Sequence, residues 1–155
     1  MISYRIMTIE DYDGVYELWA ATPEMGLNST DDSREGIGRY ICRNPNTSFV
    51  ALSEGKVVGC ILAGHDGRRG TIQHMTVHAD YRKQGIGSEL VRLCLEALHR
   101  EGIPKVYLLA FTKNAPANAF WERMGFPARS DLVYRDRELQ RIEYRPNAFR
   151  EKSAD

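Results

Sequence analysis

Hydrophobic positions follow two different repeats, and segments with one repeat alternate along the chain with segments that have the other. A repeat of about two residues predicts a β-strand, and a repeat of about 3.6 residues predicts an amphipathic α-helix. We predict strands at residues 3–7, 48–53, 56–64, 71–77, 106–111, 128–134 and 138–144. We predict helices at residues 12–21, 31–43, 85–100 and 114–124. This alternation is typical of an α/β or α+β domain.

Short polar motifs mark several of the predicted boundaries. Glu54-Gly55 lies between two apolar segments and predicts a tight hairpin. Thr8-Ile9-Glu10-Asp11 resembles a capping box at the start of the first helix. The Asp31-Asp32 pair opens the second predicted helix, where we expect it to cap the helix or to attract a cationic amine.

The composition indicates a globular domain and gives no sign of a nucleic-acid binder. At about 150 residues per domain, the 155 residues make one domain, which we place at residues 1–145 with a flexible tail over 146–155. The hydrophobic fraction of 43% and the charged fraction of 27% exclude a disordered or low-complexity chain. Basic and acidic residues number 21 each, and this balance argues against a dedicated nucleic-acid partner.

Membrane, secretory and metal-binding features are not expected. The longest apolar stretch, residues 57–64, is far shorter than the roughly 20 residues that a membrane-spanning helix needs. The first residues reach Glu10 without an apolar signal core. Three widely spaced cysteines indicate reduced thiols and a cytoplasmic protein. None has a second cysteine or a histidine at zinc-ligand spacing, so we expect no metal.

The segment with the most chemical information, residues 75–88, runs from a predicted strand through a basic turn into a helix. Gly85 and Gly87 lack a Cβ, so a ligand can approach the backbone closely there. The first amides of a helix have no partner within the helix and lie at the positive end of its dipole. Such amides bind phosphate, and Arg82 and Lys83 reinforce the site. A solvated turn is the alternative, but the basic residues and the strand-to-helix position favour an anion site.

Two motifs identify the phosphate ligand. The glycine pattern lacks the Gly-Lys-Ser/Thr ending of a P-loop and the third small residue of a dinucleotide fingerprint. It resembles the pyrophosphate loop of the GNAT superfamily of N-acetyltransferases, which use acetyl-CoA. The residues that carry the resemblance are Arg82-x-x-Gly85-x-Gly87 and Asn114-x-x-Ala117-x-x-Phe120-Trp121-Glu122-x-x-Gly125-Phe126. The order of elements agrees from Tyr4 to about Tyr144, which is nearly the whole chain.

The resemblance implies a fold and a cofactor site. The fold is α+β, with a mixed, mostly antiparallel sheet of six to seven strands, about four flanking helices, and strands four and five that splay apart. Acetyl-CoA lies in the splay and pairs with the fourth strand as an added strand would. The implied cofactor-binding residues are Met75, Thr76, Val77, Arg82, Lys83, Gln84, Gly85, Ile86, Gly87, Ser88, Asn114 and Trp121.

The catalytic positions depart from the pattern of the superfamily. An alkylamine has a pKa of about 10, so it arrives protonated and needs a route for its proton. The family places a tyrosine acid or a glutamate base at positions that hold Trp121, Leu109 and Thr71 here. The backbone N–H of Val77 is the predicted donor to the oxyanion.

Substitutes for the missing acid and base lie on the fourth strand. Gln73 can orient a proton-carrying water, and His74 carries an imidazole, which as a free group has a pKa of about 6.5. In a regular strand His74 faces away from Gln73, so its use as a base requires a bulge. Further groups that could approach the acceptor are Tyr134, His65, Asp66 and Glu24, and Tyr134 or Tyr107 could serve as a relocated acid.

Three functions therefore remain open. The first is transfer of an acetyl group from acetyl-CoA to a primary amine by direct attack in a ternary complex. The second is a non-catalytic module that binds CoA or acyl-CoA, and the third is a regulatory domain for another nucleotide. Candidate acceptors are a protein N-terminus, a lysine, a polyamine, an aminoglycoside or a small amino acid, and the protein is expected to be a monomer or a homodimer.

Overall fold

The computed structural model describes residues 1–151 and has five strands and four α-helices in that range. The strands are β1 (Ile2–Ile6), β2 (Phe49–Ser53), β3 (Lys56–His65), β4 (Gly70–Val77) and β5 (Val106–Leu108). The helices are α1 (Tyr12–Ala20), α2 (Arg34–Arg43), α3 (Ile86–Arg100) and α4 (Ala115–Arg123). Single 3₁₀ turns at Ile9–Asp11 and Ala79–Tyr81 precede α1 and α3.

The strands form one mixed sheet in the order β1-β2-β3-β4-β5. Neighbours are antiparallel except for the last pair, β4 and β5, which is parallel. The turn between β2 and β3 has φ values of 49° at Glu54 and 78° at Gly55, as a two-residue type I′ hairpin requires. The predicted α+β fold, the mostly antiparallel sheet and the Glu54-Gly55 hairpin are confirmed.

Helices cover both faces of the sheet, and each face has its own apolar core. On one face α3 and α4 pack on β2, β3 and β4, through side chains that include Ile61, Ile72, Leu90, Val91, Leu98 and Trp121. On the other face α1 and α2 pack through side chains that include Val15, Leu18, Trp19, Ile37, Val50 and Leu62. We call these the α3 side and the α1 side of the sheet.

The predicted strands at residues 128–134 and 138–144 were wrong, so the sheet has five strands rather than six to seven. In that range the structure shows only an isolated bridge between Tyr144 and Asn28. Leu132 and Val133 are 62% and 75% exposed, so the alternating apolar residues have no surface to pack on. The cause lies in β5, which ends at Leu108 and offers a further strand only three residues to pair with.

The last part of the described chain returns to the loop that follows α1. Arg145 donates hydrogen bonds to four carbonyl oxygens at the C-terminal end of α1 and in the next loop, those of Trp19, Ala20, Thr22 and Met25. These carbonyls include ones that a helix end leaves without an internal partner. The Asn147 side chain donates to the Glu24 carbonyl, so the start of the predicted tail contacts the domain. Its end, residues 152–155, lies outside the described residues.

The described chain shows neither a membrane-spanning helix nor a metal cluster. Within residues 1–151 no helix is long and apolar enough to cross a membrane. The same residues hold no group of three histidine, cysteine, aspartate or glutamate side chains that could bind a metal ion. All three cysteines are free, and burial raises the pKa of the Cys94 thiol to about 12.

Candidate functional site

Strands β4 and β5 separate after three paired positions, and this opens a V-shaped gap in the sheet. The pairs are Gly70–Val106, Thr71–Tyr107 and Ile72–Leu108. From there β4 continues to Val77, while β5 ends at Leu108. The edge of β4 beyond Ile72 therefore has no strand beside it in the described chain. The predicted splay between the fourth and fifth strands is confirmed.

A bulge in β4 changes the direction of its side chains inside this gap. Cys60 pairs with Thr76 and Leu62 pairs with Gln73, so β4 has one residue more than β3 between these pairs. His74 lies in the bulge with a φ of 47°, a left-handed conformation that costs a non-glycine residue about 1–2 kcal/mol. The strand alternation shifts there, and His74 packs on the α1 side while Met75 packs on the α3 side.

The backbone of Val77 faces the gap. The amide of His78 donates to the Val58 carbonyl, and an antiparallel ladder alternates between paired and unpaired residues, so the polar groups of Val77 point away from β3. The Arg82 Nε atom donates to the Val77 carbonyl oxygen at 3.1 Å, which agrees with this direction. The Val77 amide is thus positioned to donate to a group bound beside β4.

A run of unpaired amides follows in the loop that leads into α3. The amides of residues 83–88 have no hydrogen-bond acceptor among the described residues. Lys83 and Gly85 both have positive φ, 62° and 80°, which turns these amides outward. The Arg82 and Lys83 side chains are exposed beside them. The loop thus combines backbone donors, a helix N-terminus and two cations, the features that bind phosphate.

Gly87 and α4 form the other wall of the loop. A Cβ at Gly87 would lie 3.4 Å from the Phe120 ring and 3.5 Å from the Met75 side chain, so the backbone there approaches both. Asn114 caps α4, since its Oδ1 accepts from the Ala117 amide at 3.3 Å. Trp121 is 9% exposed and packs edge-on against Phe120 and Phe126 in the core of the α3 side. Its contact with a cofactor stays a prediction.

His74 pairs with an aspartate from the loop that precedes α2, on the α1 side of the sheet. Its Nε2 atom lies 2.6 Å from Oδ1 of Asp32, whose side chain is 3% exposed. The His74 ring also lies edge-on to Trp19, with 5.0 Å between ring centroids. The bulge that a catalytic role of His74 requires is present, and it directs the ring to these two partners.

The predicted capping role of the Asp31-Asp32 pair was wrong. Ser33 caps α2, because its Oγ accepts from the Gly36 amide at 3.0 Å. Asp32 instead bonds to His74 through Oδ1 and accepts the Asn28 amide through Oδ2 at 2.8 Å. The Asp32–His74 contact could not be predicted from the sequence, because 42 positions separate the two residues and no local pattern links them.

Several other candidates lie away from this centre. His65 bonds to Glu101 at 3.1 Å at the paired end of β4, and Asp66 accepts amides within the same turn. Glu24 is exposed in the loop after α1. Tyr134 is 64% exposed, and burial together with a hydrogen bond to Asp136 raises its pKa.

Gln73 is exposed at the bulge, next to His74. The family position of a glutamate base holds Leu109, which is 60% exposed just beyond β5. The structure thus brings Gln73, His74 and Val77 together on the free part of β4, beside the amides of residues 83–88.

Comparisons with known proteins point to one family. The sequence pattern of the acetyltransferase (GNAT) family matches residues 12–126. Acetyltransferase ECA0875 of Pectobacterium atrosepticum is 27% identical over 140 residues, which are 90% of this chain and 98% of that protein.

Solved structures share the fold. Ard1 from Thermoplasma volcanium has a TM-score of 0.74 and 22% identity, over 83% of this chain and 84% of its own. The PaiA N-acetyltransferase of Thermoplasma acidophilum, solved with coenzyme A, has a TM-score of 0.65 and 16% identity, over 79% and 87%.

Proposed function

Because the chain belongs to the GNAT family of acetyltransferases, we propose that it transfers an acetyl group from acetyl-CoA to a primary amine in a ternary complex. The observation that carries this proposal is the free edge of β4 from Gln73 to Val77, which leads directly into the unpaired amides of residues 83–88. Acetyl-CoA carries its thioester on a long arm that contains amides, and the arm is joined to a pyrophosphate. The arm would pair with the free strand edge, and the pyrophosphate would bind the amides that follow.

The cofactor site is built mainly from backbone. Unpaired N–H and C=O groups on a strand edge need partners, and the two amides of a pantetheine arm supply them. Along the free edge, which runs through Met75, Thr76 and Val77, the Val77 amide faces the gap while the backbone of Thr76 faces Cys60 on β3. The amides of residues 83–88 lie where the pyrophosphate would follow. Arg82 and Lys83 add positive charge there. The Nδ2 atom of Asn114 has no partner among the described residues and is available on the opposite wall.

Acetyl-CoA supplies the acyl group as a thioester, and the residues on β4 serve the transfer. The acceptor nitrogen forms a bond to the carbonyl carbon, the carbon–sulfur bond breaks, and sulfur leaves with the electron pair. The Val77 amide donates a hydrogen bond to the carbonyl oxygen as it gains charge. Thiols have a pKa of about 8.5, so the departing thiolate needs little help from an acid. In this proposal Gln73 orients a water and His74 acts as the base.

A non-catalytic CoA-binding protein is the second candidate, because the usual acid and base positions hold Trp121 and Leu109. Trp121 lies in the core and Leu109 is an exposed apolar residue, so neither can move a proton. The two candidate functions predict different amounts of CoA release when an amine is added. A catalyst releases CoA in proportion to amine added, whereas a binding module shows at most slow thioester hydrolysis that no amine accelerates.

The proposal is tested by thermal shift followed by an activity screen. A ligand at 100 times its Kd stabilises a protein by about 2.7 kcal/mol, so acetyl-CoA and CoA should raise Tm clearly while ATP and NAD should not. Release of free CoA is then followed with spermidine, lysine, kanamycin and a peptide with a free N-terminus. Stabilisation by ATP or NAD without CoA would contradict both candidates, and binding without amine-dependent CoA release would favour the second.

A further inference from the structure

Asp32 is a buried carboxylate in direct contact with the base of the proposed reaction. Its side chain is 3% exposed, and each oxygen has one partner, Nε2 of His74 at 2.6 Å and the Asn28 amide at 2.8 Å. A carboxylate is removed from water only at a considerable cost, and apolar residues usually fill such a position as well or better. The position therefore suggests a role beyond packing.

The histidine that Asp32 contacts is itself held in an unfavourable backbone conformation. His74 has a φ of 47° in a bulge that directs its ring toward Asp32. Residues in sparsely populated backbone regions cluster at functional sites, where the surrounding structure holds them in place. Two costly features thus meet in one residue pair, at the point where β4 borders the proposed thioester site.

The contact with Asp32 determines which ring nitrogen can accept a proton. A carboxylate only accepts hydrogen bonds, so Nε2 must carry hydrogen, and in the neutral ring Nδ1 then carries the lone pair. Among residues 1–151, Nδ1 of His74 has no hydrogen-bond partner, and the side chain is 17% exposed. Nδ1 is therefore the ring nitrogen that is left free to take up a proton.

The other elements around the ring contribute no competing charge. From α1 the ring meets Trp19, which is uncharged and fully buried. The phenol of Tyr12 donates to the backbone carbonyl of Asp32 at 2.7 Å and so fixes the same loop. On β3 the Cys60 thiol lies in the core of the α1 side, and burial raises its pKa. In the described chain, Asp32 is the one residue that forms a hydrogen bond with the ring.

We propose that Asp32 is a positioning residue that holds His74 in the Nε2–H tautomer, so that Nδ1 takes the proton from the acceptor amine. This inference rests on the proposed acetyl transfer. After attack the acceptor nitrogen carries one proton too many, and that proton passes to Nδ1. Asp32 stabilises the imidazolium that forms, and the proton then goes to the departing thiolate or to water. Asp32 would act on His74 as the buried aspartate of a serine hydrolase acts on the catalytic histidine, which it orients and whose charged form it stabilises.

The test compares Asp32→Asn with Asp31→Asn. Asp31 is the adjacent, exposed carboxylate, and within residues 1–151 it bonds only to the Asn28 side chain, so its variant controls for loss of local charge. The first readout is the ring ¹⁵N spectrum, in which the His74 signal is assigned from its absence in His74→Gln. We expect the Nε2–H tautomer in the wild type and in Asp31→Asn, and a shift toward Nδ1–H in Asp32→Asn, whose amide can donate to Nε2.

The second readout is kcat against pH, with the amine of the screen that gives the highest turnover. General base catalysis contributes about 100- to 10,000-fold, so kcat should fall at least 100-fold in Asp32→Asn and in His74→Gln. The double variant should be no slower than either single variant, because the two side chains act as a unit. The Kd of acetyl-CoA should stay within about twofold, which shows that each variant is folded.

The outcomes separate this inference from the proposed function. A wild-type Nδ1–H tautomer, or an Asp32→Asn variant with kcat within threefold and an unchanged pH profile, overturns the inference and leaves acetyl transfer intact. If no amine accelerates CoA release from the wild type, the proposed function fails and the proton-transfer role fails with it. If Asp32→Asn does not fold, His74→Gln decides, and full activity in that variant overturns the inference.

Discussion

The two sides of the sheet contribute to the proposed reaction in different ways. On the α3 side the site consists of backbone: the free edge of β4, the amides of residues 83–88 and the first turn of α3. On the α1 side it consists of side chains, above all His74 and Asp32, which are 42 positions apart. Backbone donors depend on local chain conformation, whereas the side-chain pair depends on long-range packing. Substitutions should therefore act differently on the two sides.

Substitution of Trp121 should have the largest effect, and it tests whether this residue belongs to the core of the α3 side or to the cofactor site. Because Trp121 is 9% exposed between Phe120 and Phe126, Trp121→Ala should lower the free energy of unfolding by about 4 kcal/mol. Trp121→Phe should keep most of the stability and turnover. Urea denaturation and acetyl-CoA calorimetry measure both. A stable Phe variant that no longer binds acetyl-CoA would place the indole in the cofactor site.

The next effect concerns the backbone amides of the α3 side. Gly85→Asp brings a carboxylate to the proposed pyrophosphate, so the Kd of acetyl-CoA should rise at least about 100-fold, roughly 2.7 kcal/mol. Gly67→Asp is a matched control, because both glycines have positive φ, 80° and 94°, and open space at the Cβ position. Both variants should lose similar stability by circular dichroism, and only Gly85→Asp should lose binding. Equal acetyl-CoA affinity in the two variants would show that the pyrophosphate does not bind at this loop.

A third variant, Arg145→Met, removes hydrogen bonds on the α1 side and leaves the cofactor loop unchanged. Arg145 donates to four carbonyls around the end of α1, and hydrogen bonds from charged groups contribute about 1.5–3 kcal/mol. Arg145→Met should lower the free energy of unfolding by about 2 kcal/mol and raise KM for the amine, with the acetyl-CoA Kd unchanged. Arg141→Met is the control, since the Arg141 side chain is 86% exposed. A weaker acetyl-CoA complex in Arg145→Met would contradict the separation of the two sides.

The pH dependence of stability offers a smaller test on the α1 side. Burial would raise the pKa of Asp11, but hydrogen bonds from Arg5 and the Thr8 amide outweigh it and hold this pKa below its usual range. Stabilisation from a lowered carboxyl pKa is present above the unfolded-state value and is lost as the pH falls through the folded-state value. Asp11→Asn should therefore cost about 1.5 kcal/mol at neutral pH.

That cost should shrink as the medium becomes acidic, because below the ordinary aspartate pKa the unfolded wild-type chain takes up a proton that folded Asp11 does not, and this favours the unfolded state. Urea denaturation at pH 7 and at about pH 3, below the ordinary aspartate pKa, measures the change. Asp13→Asn serves as the control, since Asp13 is 92% exposed and lies 3.6 Å from Arg34. A difference between Asp11→Asn and the wild type that does not depend on pH would show that the ion pair is not its source.

The smallest expected effect is that of the exposed charge beside the amides. Arg82 is exposed and already donates to the Val77 carbonyl, so Arg82→Ala should weaken acetyl-CoA binding only several-fold. At about 1 M salt the Debye length is about 3 Å, so the difference from the wild type should shrink there. Calorimetry at low and high salt measures it. A loss as large as that of Gly85→Asp would mean that side-chain charge rather than backbone binds the pyrophosphate.

The difference between local backbone features and long-range side-chain contacts also explains what could be predicted from the sequence. The loop of residues 82–88 and the hairpin at Glu54-Gly55 are local patterns whose geometry follows from glycine and helix-end chemistry. The late strands were mispredicted, because alternating residues such as Leu132 and Val133 form a strand only if a partner edge exists, and β5 is too short to provide one. The bulge at His74 and its contact with Asp32 depend on packing between distant segments, which no local repeat encodes.

Amide hydrogen exchange tests the proposed cofactor site most directly. The amides of residues 83–88 have no hydrogen-bond partner in the described chain, and the Val77 amide faces the gap. All of them should therefore exchange rapidly in the free protein. CoA should protect these amides, while ATP at the same concentration should not, and the Glu54-Gly55 turn should exchange alike in all samples. Protection by CoA elsewhere on the protein, with residues 77 and 83–88 unchanged, would contradict the site on the free edge of β4.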